Sequence, residues 1–152
     1  MAEQNIVLNT SNQMFVNTDQ SKVFIGEKET KDFDFTEVNA TYDDVTHKAG
    51  TVFGKVNASG KVIPSKSDAA DGSQYVCGIL LEDITVLAGT TLNRKATLVV
   101  CGEVNQDLLV FEKSGDTLST VVDGRTYADR IAGDTVGILL RKVTDSSNFD
   151  NY

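Results

Sequence analysis

The sequence is poor in the residues from which most catalytic and metal-binding sites are built: among 152 residues there are one histidine, two cysteines, one proline and no tryptophan. One histidine and two widely separated cysteines offer no zinc-ligand spacing. His47 has no cysteine or serine beside it in a motif, so a nucleophile–histidine pair would rest on tertiary proximity alone. It reads as a polar residue of a strand or loop. Without tryptophan and with only four tyrosines, the chain has few flat platforms for sugar stacking, which argues against a carbohydrate-binding module. No apolar run approaches the ~20 residues of a membrane helix. The start, Met1-Ala2-Glu3-Gln4-Asn5, lacks the basic and then apolar pattern of a secretion signal, so synthesis in the cytosol is expected. Positive charge is also short. Fourteen Lys and Arg face 22 Asp and Glu, for a net charge of −8, which repels phosphate backbones and anionic lipid. The expectation is a protein partner, with no direct nucleic-acid binding, no membrane contact, no cofactor and no metal.

What is present points to a folded, mainly β chain. Hydrophobic residues make up 40%, enough for one core at this length. Twelve glycines and several Val/Thr-rich runs suit strands joined by many turns. Thr51–Val56 and Lys61–Pro64 flank Asn57-Ala58-Ser59-Gly60 and read as a hairpin, with Pro64 closing its second strand. Gln74–Leu81 is nearly continuous in apolar residues, as expected of a strand buried on both faces. Ala96–Val104 and Thr135–Val143 read as further strands. Asn105 is a suitable N-cap for a short helix over 105–111, and Arg125–Ala132 has room for one or two helical turns. Gly78-Ile79-Leu80-Leu81 recurs as Gly137-Ile138-Leu139-Leu140, but the flanks do not match, so the echo reads as shared strand composition. Cys77 and Cys101 each lie in an apolar run and are expected to be buried free thiols.

Residues 1–37 have a different texture. Short apolar clusters (Ile6-Val7-Leu8, Met14-Phe15-Val16 and Val23-Phe24-Ile25) are separated by polar and charged residues, and Phe33 and Phe35 alternate so that both rings share one strand face. None is long enough to form a core alone. The expected organisation is therefore an extended, binding arm over 1–37, a β-rich core over 38–143 and a flexible, acidic tail over 144–152.

Three patterns mimic sites. Gly54 to Val62 resembles a phosphate-binding loop, but five residues separate Gly54 from Gly60, and Val62 replaces the required Ser or Thr. Asp43-Asp44 and Glu82-Asp83 are adjacent carboxylates, which on a strand point to opposite faces, and no alternating ligand loop accompanies them. They read as a solvated edge or an intersubunit ion pair. No catalytic residue is assigned, and the chain is expected not to be an enzyme.

Four short pieces occur in order: Gly50–Gly54; Ala69-Ala70-Asp71-Gly72-Ser73 leading into Gly78-Ile79-Leu80; Ala88-Gly89-Thr90; and Gly102-Glu103-Val104-Asn105. Together the stretch Ala49–Val110 resembles the lambda-type bacteriophage head decoration family, with departures at Thr91 and Cys101. The resemblance implies a compact β-barrel or β-tulip-like domain with one or two short helices. It also implies homotrimers at the three-fold positions of the expanded head, bound to the major capsid protein on the outer surface of the virion and stabilising it against internal DNA pressure. Ile6, Val7, Leu8, Met14, Phe15, Val16, Val23, Phe24, Ile25, Phe33 and Phe35 are then the candidate capsid-binding residues of the arm, adding a strand to a capsid sheet edge. The alternative is another virion β module, such as a tail-tube or fibre-associated protein.

Overall fold

The computed structural model describes residues 23–134 and 137–142. The chain is mostly strand. The main sheet contains β1 (Phe24–Val38), β3 (Val52–Lys55), β4 (Val62–Pro64), β5 (Val76–Leu80), β7 (Thr91–Asn105) and β10 (Ile138–Arg141). Its order is β1-β7-β5-β3-β4, with β10 also paired to β7. Two small sheets flank it: β2 (Val45–His47) with β6 (Ile84–Val86), and β8 (Val121–Val122) with β9 (Arg125–Thr126). One helix, α1 (Tyr127–Asp134), follows β9.

Alternation along the central strands makes two cores, one on each face of the sheet. Val52, Ile79 and Val99 enter the first, beside Tyr127 and Ile131 of α1. Their neighbours Phe53, Leu80 and Leu98 enter the second, beside Ile84 and Val86 of β6. All six strand residues are at most 1% exposed, so β5 is buried on both faces, as its continuous apolar run predicts. The i, i+4 spacing of Tyr127 and Ile131 sets both on the sheet-facing side of α1. Thr126 Oγ1 accepts from the amide of Asp129 at 3.2 Å and so satisfies one open donor at the helix start.

The 51–64 hairpin forms as expected: β3 pairs antiparallel with β4, and Gly60 has φ of +72°. Gly54 has no alternative residue, because a Cβ there would overlap the carbonyl of Ser73 in the loop before β5. Asn105 caps a 3-10 turn, Gln106–Leu108, its side chain accepting from the amide of Asp107. The last strand lies parallel to β7, whereas β5 lies antiparallel to it. The two Gly-Ile-Leu-Leu copies thus occupy unlike environments.

The expected division at residue 38 needs correction. β1 runs Phe24–Val38 and pairs antiparallel with β7 along its length, from Phe24 opposite Val104 to Val38 opposite Thr91, with bulges near Gly26-Glu27 and Glu29. Residues 24–37 are therefore part of the domain. Their apolar clusters are too short to pack on one another, but pairing with a strand some 65 residues later satisfies their backbone groups and places their rings in existing cores.

Candidate functional site

The arm candidates separate into three groups. Ile6, Val7, Leu8, Met14, Phe15 and Val16 lie outside the described residues. Val23 and Phe24 are buried in the first core and Phe35 in the second, so the structure corrects their assignment as docking side chains. Ile25 is half-buried, and so is Phe33, which packs on the second core. Phe33 and Phe35 do share a face, as their alternation indicates, but the face is the chain's own interior.

The decoys also find structural roles. His47 is 7% exposed. Its Nε2 lies 2.7 Å from Glu37 Oε1 and its Nδ1 3.6 Å from Glu112 Oε1, and its ring meets Phe35 and Phe53 edge-on. His47 thus joins β1, β2 and the segment after the 3-10 turn. Asp83 accepts from the amide of Ala49 at 2.8 Å and pairs with Lys48. Asp44 accepts from the amide of Ala88 at 2.9 Å. Cys77 and Cys101 are free thiols but half-buried, not fully buried, because each strand has one partly uncovered face at that position. Burial pushes the Cys77 thiol up to about 12 despite the opposing pull of Lys55. Among the described residues, no three side chains of metal-ligating type come together, and no helix is long and apolar enough to cross a membrane.

An open cavity of about 520 Å³ lies between the β3–β4 hairpin, the loop before β5 and α1, and is lined by Lys55, Tyr75, Cys77 and Arg130 among others. Arg130 caps this region from inside. Its Nε donates to Val122 O at 2.9 Å, it donates to Asp123 O at 3.0 Å, and its guanidinium lies 4.7 Å from the centre of the Tyr75 ring. These bonds hold the β8–β9 turn, where Asp123 (φ +51°) and Gly124 (φ +84°) adopt the backbone of a two-residue hairpin.

The two ends of β7 differ in kind, and sequence reading missed both. At its C-terminal end, Val104 lies opposite Phe24 and Asn105 opposite Arg141. The segments before Val23 and after Lys142 therefore both join the domain there. Val23 packs over Gly50, where a Cβ would come 2.9 Å from Leu108 O.

The other end, near Thr91, is organised by Asn39, which is 3% exposed. Its amide nitrogen donates to Asp43 O and Val86 O, and its carbonyl accepts from the backbone and hydroxyl of Thr41. Its backbone amide donates to Thr90 O. A fully satisfied asparagine thus joins the 39–44 loop to the turn after β6. On this scaffold Tyr42 is fully exposed, Val38 is 68% exposed and Leu87 56%. The sequence signal for such a pole was slight: a short polar stretch after a strand, with one tyrosine.

No curated protein sequence matches the chain. The family model described as bacteriophage lambda head decoration protein D matches residues 36–125. That match takes in the last three residues of β1, the strands β2 to β6 and all of β7, and covers more than half of the 152 residues; the chain belongs to the bacteriophage lambda head decoration protein D family.

Proposed function

We propose that the chain binds as a trimer at the three-fold positions on the outside of the expanded phage head and stabilises the shell against the pressure of the packaged DNA. Family membership makes it a capsid-decoration protein. The observation that carries the finer reading is the common root of the two terminal segments at the C-terminal end of β7. Residues 1–22 supply Ile6-Val7-Leu8 and Met14-Phe15-Val16 from this one end, where extended backbone adds to an exposed sheet edge of the shell protein and alternate side chains fill pockets. Three such arms per trimer bind with avidity. The body of the domain, with its cores closed, needs no capsid contact to fold.

The test is to mix the purified full chain with empty heads before and after expansion and to image the decorated particles. Binding to expanded heads alone, as three-fold clusters on the outer surface, is the expected result. Binding as isolated monomers, or equally to unexpanded shells, would refute the reading.

A further inference from the structure

Exposed apolar side chains scattered singly need no explanation, but three on one locked scaffold do. Val38, Tyr42 and Leu87 stand at the Thr91 end of β7. The loop beneath them is held by the bonds of Asn39, by Asp44 to the amide of Ala88, and by Thr90 to Leu87 O at 2.7 Å. Such a loop presents a tyrosine at small ordering cost, the property of an interface anchor.

Charge indicates what the anchor meets. Asp43, next to Tyr42, contributes its carbonyl to the loop, and among the described residues its carboxylate pairs with no cation. Arg94, opposite Phe35 on β7, gives its Nε to Lys95 O at 2.9 Å, and among the described residues its guanidinium pairs with no carboxylate. Each copy thus carries an aromatic and acidic element and an exposed guanidinium, and a guanidinium suits both a carboxylate and an aromatic face.

We infer that the Tyr42 loop is the contact between copies of this chain, with Tyr42 and Asp43 of one copy seated against Arg94 of the next. This rests on the trimer of the proposed function. A ring in which every copy gives one element and receives the other closes on itself and uses each pair once. The arm then engages the shell from the far end of β7, about 45 Å away along a regular strand of this length.

The test uses the full chain and reads its mass by sedimentation across a concentration series, together with occupancy on expanded heads. Tyr42→Ser is expected to weaken self-association about tenfold or more. Asp43→Arg and Arg94→Asp should each weaken it, and the two together should restore it to within about threefold of the original. Asp43→Arg keeps the carbonyl that the loop uses, and thermal midpoints measured at dilutions where both chains are monomeric should stay unchanged. A trimer that survives Tyr42→Ser and both charge reversals overturns this contact and leaves the trimer standing. Monomers of the unaltered chain in solution and on heads overturn both. Lost head binding with an intact trimer assigns the loop to the shell protein and overturns the contact.

Discussion

The Nε2 of His47 lies 2.7 Å from Oε1 of Glu37, the penultimate residue of β1. The contact ties the end of a long edge strand to β2 on the other side of the second core. Replacing His47 with Ala removes the ring from between Phe35 and Phe53 and leaves Glu37 without its partner. A loss of about 1–3 kcal/mol in urea unfolding is expected, with head binding unchanged in conditions where the variant is folded. A folded variant that lost function without losing stability would give His47 a chemical role.

Truncation separates the arm from the sheet. A chain that begins at Val23 keeps β1 and both cores, so it should fold with the full chain's cooperativity; on the proposed trimer it loses the avidity of three arms and should bind expanded heads at least about tenfold more weakly. A chain that begins at Val38 loses Phe24 and Phe35 from the cores and all of β1 but its last residue, which leaves one edge of β7 unpaired, and should not fold. Phe35→Ala alone should cost about 3–5 kcal/mol. Circular dichroism and head co-sedimentation report the two effects separately.

Gly54→Ala should be among the most damaging single methyl additions in the chain. The new Cβ would overlap backbone atoms of Ser73, and backbone yields less readily than a flexible side chain. A loss of about 1–3 kcal/mol or more is expected, read from the denaturant midpoint.

Cys77 should be a slow nucleophile. With its thiol pushed up to about 12 by burial, little thiolate exists near neutral pH. Alkylation followed by mass spectrometry should modify Cys77 slowly in the native protein and rapidly in denaturant. Equal rates would show that the strand holding it opens readily.

Acid should weaken the fold through identifiable carboxylates. The hydroxyl and then the amide of Ser73 hold Asp71 below its usual value, and the hydrogen bond and then the charge of Lys95 do the same for Asp34. A lowered folded-state value gives stability that is present above the unfolded value of 3.8 and is lost as pH falls through the folded value. Both groups lie at the surface, so each effect is small and is screened by salt. The denaturant midpoint should fall between roughly pH 5 and roughly pH 2, with a shallower decline in Asp71→Asn.

Local chemistry was readable where its cause was local. Asn57 to Gly60 announced a turn, and Asn105 an N-cap, although the short helix expected over 105–111 is a single 3-10 turn that ends at Leu108. The nearly continuous apolar run of Gln74–Leu81 announced a strand covered on both faces, and within Val76–Leu80 Cys77 alone is partly exposed. The acidic pairs were not readable: Asp83 and Asp44, expected at a solvated edge or in an intersubunit ion pair, instead accept from the amides of Ala49 and Ala88, which lie far from them in sequence.

The sequence by itself determined the strand-rich composition, the acidic balance and the order of short pieces that mark the decoration family, for these reside in residue type and near-neighbour spacing. Only the tertiary structure decided that Phe24–Val38 is an edge strand of the domain, since its partner β7 lies far along the chain and strand pairing carries no local signal. Tertiary structure also decided that both terminal segments root at one end of β7 while Tyr42 and Arg94 stand near the other. Those positions follow from which strands meet and in which direction, and hydrogen bonding between distant segments fixes that only once the chain has closed around its two cores.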